Sequence, residues 1–255
     1  MHLEITKNTV IAADLDGTLA ESKLPIKPDM AEALSTWLKT NRFAVISGGE
    51  HSRFDEQIIK QLPSDTNFSN LYLFPTNGAT CFNFKKGEWK QLYQNMLTED
   101  EVKKIYTAFN TAISQAGVLF ETKHGEQIEN RGGQISFSAL GQQAPIEEKV
   151  PWDPDQVKRK KITKILIPLL PEFHVAIGGA TTIDVTHKGI DKEFATRKIV
   201  ELLNIQEEEI IFFGDAIYEG GNDFAVTRTK AHCVKVDGPD ETRDHILYLT
   251  NSFLA

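Results

Sequence analysis

The chain has 255 residues, a net charge of −8 and 40% hydrophobic residues, so it is long enough to bury the core of one large domain or of two smaller ones. The negative charge argues against a nucleic-acid partner, because binding to a phosphate backbone requires a basic face. Cys81 and Cys233 stand far apart in the sequence, which predicts reduced thiols in a cytoplasmic protein. The sequence shows neither a signal-peptide pattern nor an apolar run of membrane length, which predicts a soluble protein without a membrane partner.

Short apolar segments recur in the outer parts of the chain and predict buried β-strands. Each segment is continuous rather than alternating, which is typical of strands covered on both faces in a parallel sheet. Four of them lead directly into polar or glycine-rich residues. In chain order the predicted strands are residues 10–13, 43–46, 71–74, 210–213 and 231–236.

Helical patterns separate these strands. Apolar residues at helical spacing predict helices over residues 30–38, 54–62 and 195–203. The alternation of strand and helix predicts an α/β fold built on a parallel sheet, and such sheets bind ligands beyond the carboxyl ends of their strands. The polar residues that follow the predicted strands are therefore candidate site residues.

The middle of the chain follows a different pattern. Two apolar stretches flank Lys85-Lys86-Gly87 and predict a hairpin. Residues 134–139 and 181–186 alternate between polar and apolar, which predicts an antiparallel sheet with one polar face. The basic run at 158–161 is interpreted as a solvated helix face rather than a binding patch.

Two helix starts complete the middle region. A capping box at Thr98 predicts one helix, and Asp153-Pro154 predicts the start of another with proline in its first turn. We therefore expect an inserted α+β domain at residues 82–187. The outer segments, residues 1–81 and 188–255, would form one discontinuous core domain.

Two carboxylates, Asp14 and Asp16, follow the first predicted strand directly. A tight turn at Gly17 is needed to bring both to one site. One carboxylate can attack phosphorus and form an aspartyl-phosphate, while the other can protonate the leaving oxygen and later deprotonate the next nucleophile. Two carboxylates repel a phosphate dianion, so we expect a cation here. Mg²⁺ fits, because it prefers oxygen ligands.

The fourth apolar run supplies a further carboxylate at the same edge of the predicted sheet. Asp215 follows this run, and the glycine-rich turn after it brings Asn222 and Asp223 back to support a metal ion. The oxygen atoms of these side chains suit the same hard cation. We therefore group these three residues with the acid pair.

Ser47, Gly48 and Lys192 are candidates for contacts with the phosphate. The first two place a hydroxyl and backbone amides just before a helix, and the lysine opens another helix and can neutralise phosphoryl oxygens. Each motif alone also has a structural explanation as a loop, a turn or a capped helix start. Their joint occurrence at predicted strand ends and helix starts favours one phosphoryl-transfer site.

These residues resemble the four motifs of the haloacid dehalogenase (HAD) superfamily: DLDGT at 14–18, ISGG at 46–49, Lys192, and FFGDAIYEGGND at 212–223. The insert resembles the large cap of type-two members, and its segments IENRGGQISFSALGQ and IGGATTIDVTHKGIDK are most similar to eukaryotic-type phosphomannomutases. The resemblance implies a Rossmann-like parallel-sheet core, an α+β substrate-specificity cap, a small phosphorylated sugar as substrate, and a homodimer formed through the cap.

The resemblance also implies roles for individual core residues. Asp14 would carry the phosphoryl group, and Asp16 would act as the acid and base. Mg²⁺ would be held by Asp14, Asp215 and the backbone carbonyl of Asp16. Asn222 and Asp223 would support this metal site.

In the cap, the family binds the sugar phosphate with arginines and the sugar hydroxyls with a serine and an aspartate. Arg131 matches one arginine, although an ion pair with a neighbouring acidic residue would also explain it. Asp184 matches the aspartate, and Thr182 replaces the serine. The last two residues stand two positions apart on an alternating strand, so both should point from its polar face.

Three positions depart from the family pattern and leave the reaction open. Lys23 and Lys149 replace arginines and keep the charge but not the bidentate fork, and Gln142 replaces a third arginine without any charge. One hypothesis is a mutase that interconverts hexose 1-phosphate and 6-phosphate, with mannose expected and a hexose bisphosphate as activator. The alternative is a phosphatase that releases inorganic phosphate from sugar phosphates. A non-catalytic sugar-phosphate sensor is disfavoured, because the acid pair is retained.

Overall fold

A computed structural model of the protein describes residues 5–118 and 124–254. The chain divides into two compact units. Unit 1 comprises Met1–Gln94 and Asp191–Ala255, and unit 2 comprises Asn95–Ile190. None of the helices in the described ranges combines the length and the apolar character that crossing a bilayer requires.

The strands and helices of the described residues are numbered in chain order. The strands are β1 (Val10–Asp14), β2 (Arg42–Ile46), β3 (Leu71–Phe74), β4 (Thr80–Lys85), β5 (Glu88–Gln94), β6 (Ile128–Asn130), β7 (Gln134–Ser138), β8 (Phe173–Ile177), β9 (Thr182–His187), β10 (Ile210–Gly214) and β11 (His232–Lys235). The helices are α1 (Pro28–Leu38), α2 (His51–Gln57), α3 (Glu99–Ala116), α4 (Ile146–Lys149), α5 (Val157–Leu169), α6 (Lys192–Leu203) and α7 (Pro239–Leu254).

Unit 1 is built on a seven-stranded sheet in the order β11-β10-β1-β2-β3-β4-β5. The first five strands of this order are parallel, and every residue of β1 is buried. Ile11 and Ala13 pack in the same apolar cluster as α1 and α7, whereas Val10 and Ala12 pack with α6 on the other face. The predicted α/β fold with strands covered on both faces is confirmed.

The hairpin β4–β5 completes the sheet of unit 1 through antiparallel pairing of β4 with β3. The Asn83 side-chain amide donates to the backbone carbonyls of Ser69 and Leu71 and ties β4 to the preceding segment. The pattern predicts that this hairpin belongs to an insert beginning at residue 82, whereas the structure groups it with unit 1. A hairpin signal is local and does not specify the sheet that the hairpin joins.

Unit 2 contains a four-stranded antiparallel sheet in the order β6-β7-β9-β8. Apolar residues from one face of β7 and β9 pack against α3 and α5 in a separate core. The opposite face carries polar side chains that are also buried, including Ser136 and Asp184. The predicted alternation is therefore present. Unit 2 ends at Ile190, close to the predicted end of the insert at residue 187.

Local hydrogen bonds determine where the helices of unit 2 begin. Thr98 and Glu101 form the expected capping box at α3. Helix α5 was predicted to start at Asp153-Pro154, but it begins at Val157. The Asp153 carboxylate accepts the backbone N–H groups of Lys158 and Arg159 at 2.9 and 3.0 Å, so the residues before Val157 form a turn and not the first turn of the helix.

The capping box allows a stability test. Replacing Thr98 with alanine removes the oxygen that accepts the Glu101 N–H, and we expect the free energy of unfolding to fall by about 1 kcal/mol. Thr107→Ala in the same helix is the control. Its hydroxyl only donates to the Lys103 carbonyl one turn earlier, and alanine is the better helix former. Urea unfolding followed by circular dichroism compares the two, and an equal loss in both variants would contradict a capping role.

Candidate active site

The strand register of unit 1 brings several predicted site residues to one edge of the sheet. Asp14 pairs with Ile46 across β1 and β2, and Ala13 pairs with Phe213 across β1 and β10. The segments that leave these three strands therefore emerge side by side. Ser47 follows β2 directly, and Asp215 follows β10.

The loop after β1 depends on Gly17. This residue has φ of +89°, and its N–H donates to the carbonyl of Ala20 at 2.7 Å. A Cβ at this position would lie 2.8 Å from the Asp215 Oδ2 atom. Glycine is needed both for the left-handed backbone conformation and for the close approach of the carboxylate.

Lys192 is the first residue of α6 and lies almost completely buried between two carboxylates. Its Nζ donates to Asp14 Oδ1 and, at 2.5 Å, to Asp223 Oδ1. The Asp191 side chain caps the same helix by accepting the Phe194 N–H at 3.1 Å. Cap and ion pairs together fix the start of the helix, and with it the position of the ammonium group.

Two further side chains reach the same place from the loop after β10. Asp223 is fully buried, and its Oδ2 accepts the Ala216 N–H at 2.9 Å. A Cβ at Gly214 would lie 2.6 Å from this carboxylate, so only glycine leaves the room it occupies. Asp215 is held by Thr18, whose hydroxyl accepts the Asp215 N–H at 3.1 Å and donates to its Oδ1 at 3.4 Å.

The charges in this cluster act strongly on one another, as the pKa shifts of the side chains show. Burial raises the pKa of Asp14 well above its usual range; Lys192 opposes this rise, and Asp223 and Asp215 add to it. Burial would lower the pKa of Lys192, but the two carboxylates beside it outweigh that effect and raise it. Burial and the charge of Asp223 also raise the pKa of Asp215. Further positive charge near Asp14 and Asp215 would favour the ionised forms of these two carboxylates.

The arrangement of the carboxylates fits a metal ion. One oxygen from each of Asp14, Asp215 and Asp223 lies within 4.8 Å of the others. A set of carboxylate oxygens of this kind suits a hard divalent cation such as Mg²⁺. Asn222 precedes Asp223 in the same loop and is half-buried.

Asp16 has a separate set of partners. Its Oδ1 accepts the Lys23 N–H at 2.5 Å and the Gln57 side-chain amide at 3.2 Å. The amide of Gln57 also donates to the Leu24 carbonyl at 2.9 Å, and this side chain is buried. The carboxylate is thus oriented by the loop that follows β1 and by the end of α2.

The turn after β2 is tied to the turn after β3. The buried Ser47 hydroxyl accepts the Gly49 N–H at 3.1 Å, and the Ser47 carbonyl accepts the Asn77 N–H at 2.9 Å. The Thr76 N–H donates to the Gly49 carbonyl at 2.9 Å. Gly48 lies between the two anchored residues, so the predicted phosphate-binding segment has a defined backbone shape.

In unit 2, three of the predicted substrate-binding residues contact one another. Arg131 forms an ion pair with Glu129 at 2.7 Å and donates to the Gln142 side-chain oxygen at 3.1 Å. The Lys149 ammonium donates to the Gln142 backbone carbonyl at 3.4 Å. The ion pair with a neighbouring acid, which the sequence left open for Arg131, is present.

Thr182 and Asp184 point to the same side of β9, as predicted. A Cβ at Gly178 would lie 2.7 Å from both Thr182 Oγ1 and Asp184 Oδ2. The other oxygen of this carboxylate accepts the Ser136 hydroxyl at 2.6 Å. The two side chains therefore lie side by side, and the neighbouring strand orients Asp184.

Several residues that orient the predicted groups were missed in the sequence analysis, among them Thr18, Gln57, Glu129 and Ser136. Thr18 stands in the DLDGT motif and could have been found there. The others contact their partners through tertiary packing, and no local pattern marks them.

The fold of this chain is similar to that of solved structures. The IMP-bound, N-terminally truncated IMP-nucleotidase of Plasmodium falciparum aligns with 95% of this chain and 68% of its own, with a TM-score of 0.70 and 15% identity. SMU.1108c of Streptococcus mutans aligns with 97% of this chain and 99% of its own, with a TM-score of 0.67 and 16% identity. Such identities show the fold alone. Together with the family match given next, these structures define an enzyme of the HAD phosphotransferase and phosphatase type.

Sequence comparison narrows this class to a family. The family model for eukaryotic phosphomannomutase matches residues 30–252. The phosphomannomutase of Schizosaccharomyces pombe is 29% identical over 251 residues, which cover 92% of this chain and 91% of that protein. The phosphomannomutase of Dendrobium officinale is 29% identical over 245 residues, with 92% and 91% covered. The chain belongs to the eukaryotic phosphomannomutase family of the HAD superfamily.

The close approach at Gly17 gives a second test. Alanine at Gly17 adds both left-handed strain and a collision with Asp215, whereas alanine at Gly87 adds strain alone, because φ is +84° and no atom lies within 4 Å of the added Cβ. We expect a loss of about 1–2 kcal/mol of unfolding free energy from the strain in both variants. Gly17→Ala should lose about 1–3 kcal/mol more. Urea unfolding measures both, and equal losses would show that Asp215 does not approach Gly17 this closely.

Proposed function

We propose that this protein transfers phosphoryl groups through an aspartyl-phosphate at Asp14, as a phosphomannomutase-like hexose-phosphate mutase. The observation that carries the proposal is the buried cluster at the carboxyl edge of the sheet, in which Lys192 contacts the Asp14 carboxylate and two further aspartates converge on it. The family of the chain supports the choice of sugar phosphates, with mannose as the sugar.

The predicted site residues of unit 1 each have a part in the proposed reaction. The Asp14 carboxylate attacks phosphorus, and the leaving oxygen of the sugar takes a proton from Asp16. Lys192 neutralises charge on the phosphoryl group during transfer. Ser47, with the Gly48 backbone, holds the phosphoryl oxygens at the turn after β2.

Mg²⁺ is the cofactor that we assign to the acid cluster. Asp14, Asp215 and the backbone carbonyl of Asp16 would hold it, with Asn222 and Asp223 in support. When bound, it supplies positive charge that favours the ionised carboxylate and offsets the charge of the phosphate.

Unit 2 carries the predicted groups for the sugar phosphate. We assign a phosphate of the sugar to Arg131 and Lys149, and the sugar hydroxyls to Thr182 and Asp184. In unit 1, Lys23 is a further predicted cation for phosphate. A mutase has to retain a bisphosphate intermediate while it reverses, so a hexose bisphosphate would act as activator. By analogy with the family, unit 2 would also form the contact of a homodimer.

A specific contact favours a second candidate, a sugar-phosphate phosphatase. Both amide hydrogens of Gln142 donate to backbone carbonyls, at 3.2 Å to Gln127 and at 3.0 Å to Ser136, and its oxygen accepts from Arg131. Its donors are therefore committed to the fold and not available to a phosphate. Weaker retention of the second phosphate would let water replace the sugar hydroxyl as acceptor.

The nucleophile is tested by trapping the phosphoenzyme. Wild-type protein incubated with Mg²⁺ and a hexose bisphosphate, then acid-quenched, should gain the mass of one phosphoryl group. Asp14→Asn should fold normally, gain no mass and turn over at least about a thousandfold more slowly, because the attacking oxygen is lost. Asp65→Asn removes an exposed carboxylate of the same unit and should behave as wild type. Unchanged turnover in Asp14→Asn would refute covalent catalysis.

The two candidate functions are separated by their products. With mannose 1-phosphate, Mg²⁺ and a hexose 1,6-bisphosphate, a mutase forms the 6-phosphate faster than it releases inorganic phosphate, and chelation of the metal stops both. We expect this result. Phosphate release without isomer, even with bisphosphate present, would establish the phosphatase instead.

A further inference from the structure

Arg159 is buried, although it lies in the basic run 158–161 that the sequence analysis interpreted as a solvated helix face. The side chain of Arg159 is 3% exposed, and its partner Asp153 is 1% exposed. Lys160 and Lys161 of the same run are exposed, as predicted. Arg159 thus points inwards from α5, while Lys160 and Lys161 face solvent.

The guanidinium group of Arg159 joins two segments of unit 2. Its Nε donates to Asp153 Oδ2 and its Nη2 to the Asp153 carbonyl, both at 2.9 Å. Its Nη1 donates to the Gly178 carbonyl at 2.8 Å and also to the Gly179 carbonyl. The rigid fork of arginine can serve both partners at once, whereas the ammonium of lysine cannot.

Gly178 in turn supports the side chains of β9. Its N–H donates to the Thr182 carbonyl at 3.1 Å and closes the β8–β9 hairpin. A Cβ on Gly178 would lie 2.7 Å from Thr182 Oγ1 and from Asp184 Oδ2. Any shift of this backbone therefore changes the space in which the two side chains lie.

The energetics of the pair favour a positioning role over a purely stabilising one. Burial acts to raise the pKa of Asp153, but the hydrogen bonds from Arg159 and from two backbone amides outweigh it and lower the pKa. The attraction within a buried ion pair offsets little more than the free energy needed to remove both charges from water, even when the pair is well hydrogen-bonded. Its directional hydrogen bonds, by contrast, fix the hairpin in one place.

We infer that Arg159 is a positioning residue for substrate selection: by holding the Gly178-Gly179 backbone, it keeps Thr182 and Asp184 placed for sugar hydroxyls. The inference rests on the proposed function, which assigns these two side chains to the sugar. It predicts that Arg159 affects ligands with a sugar ring and not phosphate esters without hydroxyls.

The test measures binding, so that it does not depend on turnover. Calorimetric dissociation constants for mannose 1-phosphate and for phenyl phosphate are compared in wild type, Arg159→Lys and the control Lys161→Met, which removes an exposed charge from the same helix. In Arg159→Lys the dissociation constant for mannose 1-phosphate should rise roughly tenfold, because a small misplacement of binding groups is costly. That for phenyl phosphate should change by less than about twofold, and Lys161→Met should change neither.

A double-variant cycle tests whether the effect passes through Asp184. In an Asp184→Asn background, Arg159→Lys should weaken mannose 1-phosphate binding by less than it does in the wild-type background, and an equal loss in both would show that the effect does not pass through Asp184. Should Arg159→Lys not fold, Asp153→Asn replaces it, because the amide keeps an acceptor for the helix start but loses the charge that anchors the guanidinium. A folded variant that binds both ligands as wild type does, or that weakens both equally, would overturn the inference.

The result that would disprove the proposed function differs from the result that would overturn the inference about Arg159. Wild-type protein that binds mannose 1-phosphate but neither isomerises nor hydrolyses it would disprove phosphoryl transfer and leave the binding comparison intact. Wild-type protein that binds phenyl phosphate as tightly as mannose 1-phosphate would show that no sugar subsite exists, and the inference would fall with that assignment.

Discussion

The ion pairs of one buried lysine hold together the candidate site at the carboxyl edge of the sheet. Lys192 contacts Asp14 and Asp223 where almost no solvent reaches, and either carboxylate without this partner would be an uncompensated buried charge. The three residues come from the start, the late middle and the end of the chain. Their convergence therefore requires that both outer segments fold as one unit, which is the arrangement that the seven-stranded sheet produces. Glycines at 17 and 214 then leave the space that the carboxylates occupy.

This constraint explains why so much of the site could be predicted. The carboxyl ends of neighbouring parallel strands meet at one edge, so residues that follow buried apolar runs can be expected to lie together. Asp14, Asp215 and Asp223 fulfilled that expectation, and Lys192 joined them from the start of a helix. The capping box at Thr98 was equally predictable, because its hydrogen bonds join residues three positions apart.

Predictions failed where the deciding partner lies far away in sequence. The hairpin β4–β5 has a clear local signal, yet its place in the sheet depends on the pairing of β4 with β3, which Asn83 reinforces through the carbonyls of Ser69 and Leu71. Arg159 lies in a basic run that predicts an exposed side chain, yet it is buried because its guanidinium donates to carbonyl groups about twenty positions later. In both cases a tertiary hydrogen bond overrode a local pattern. The start of α5 differs from the prediction for a local reason, because Asp153 accepts the backbone amides of Lys158 and Arg159 beyond the predicted first turn.

On the polar face of unit 2, Gln142 departs from the pattern that the family resemblance implies. Gln142 stands where the family resemblance implies an arginine, and its amide bonds to two backbone carbonyls and to Arg131. A neutral side chain can make all three contacts at low cost, whereas a second guanidinium beside Arg131 would have to be balanced by an anion. The ion pair with Glu129 already uses part of the charge of Arg131. In the proposed function, the positive charge offered to a second phosphate would therefore be lower than three arginines would provide, and the balance between isomerisation and hydrolysis would depend on that charge.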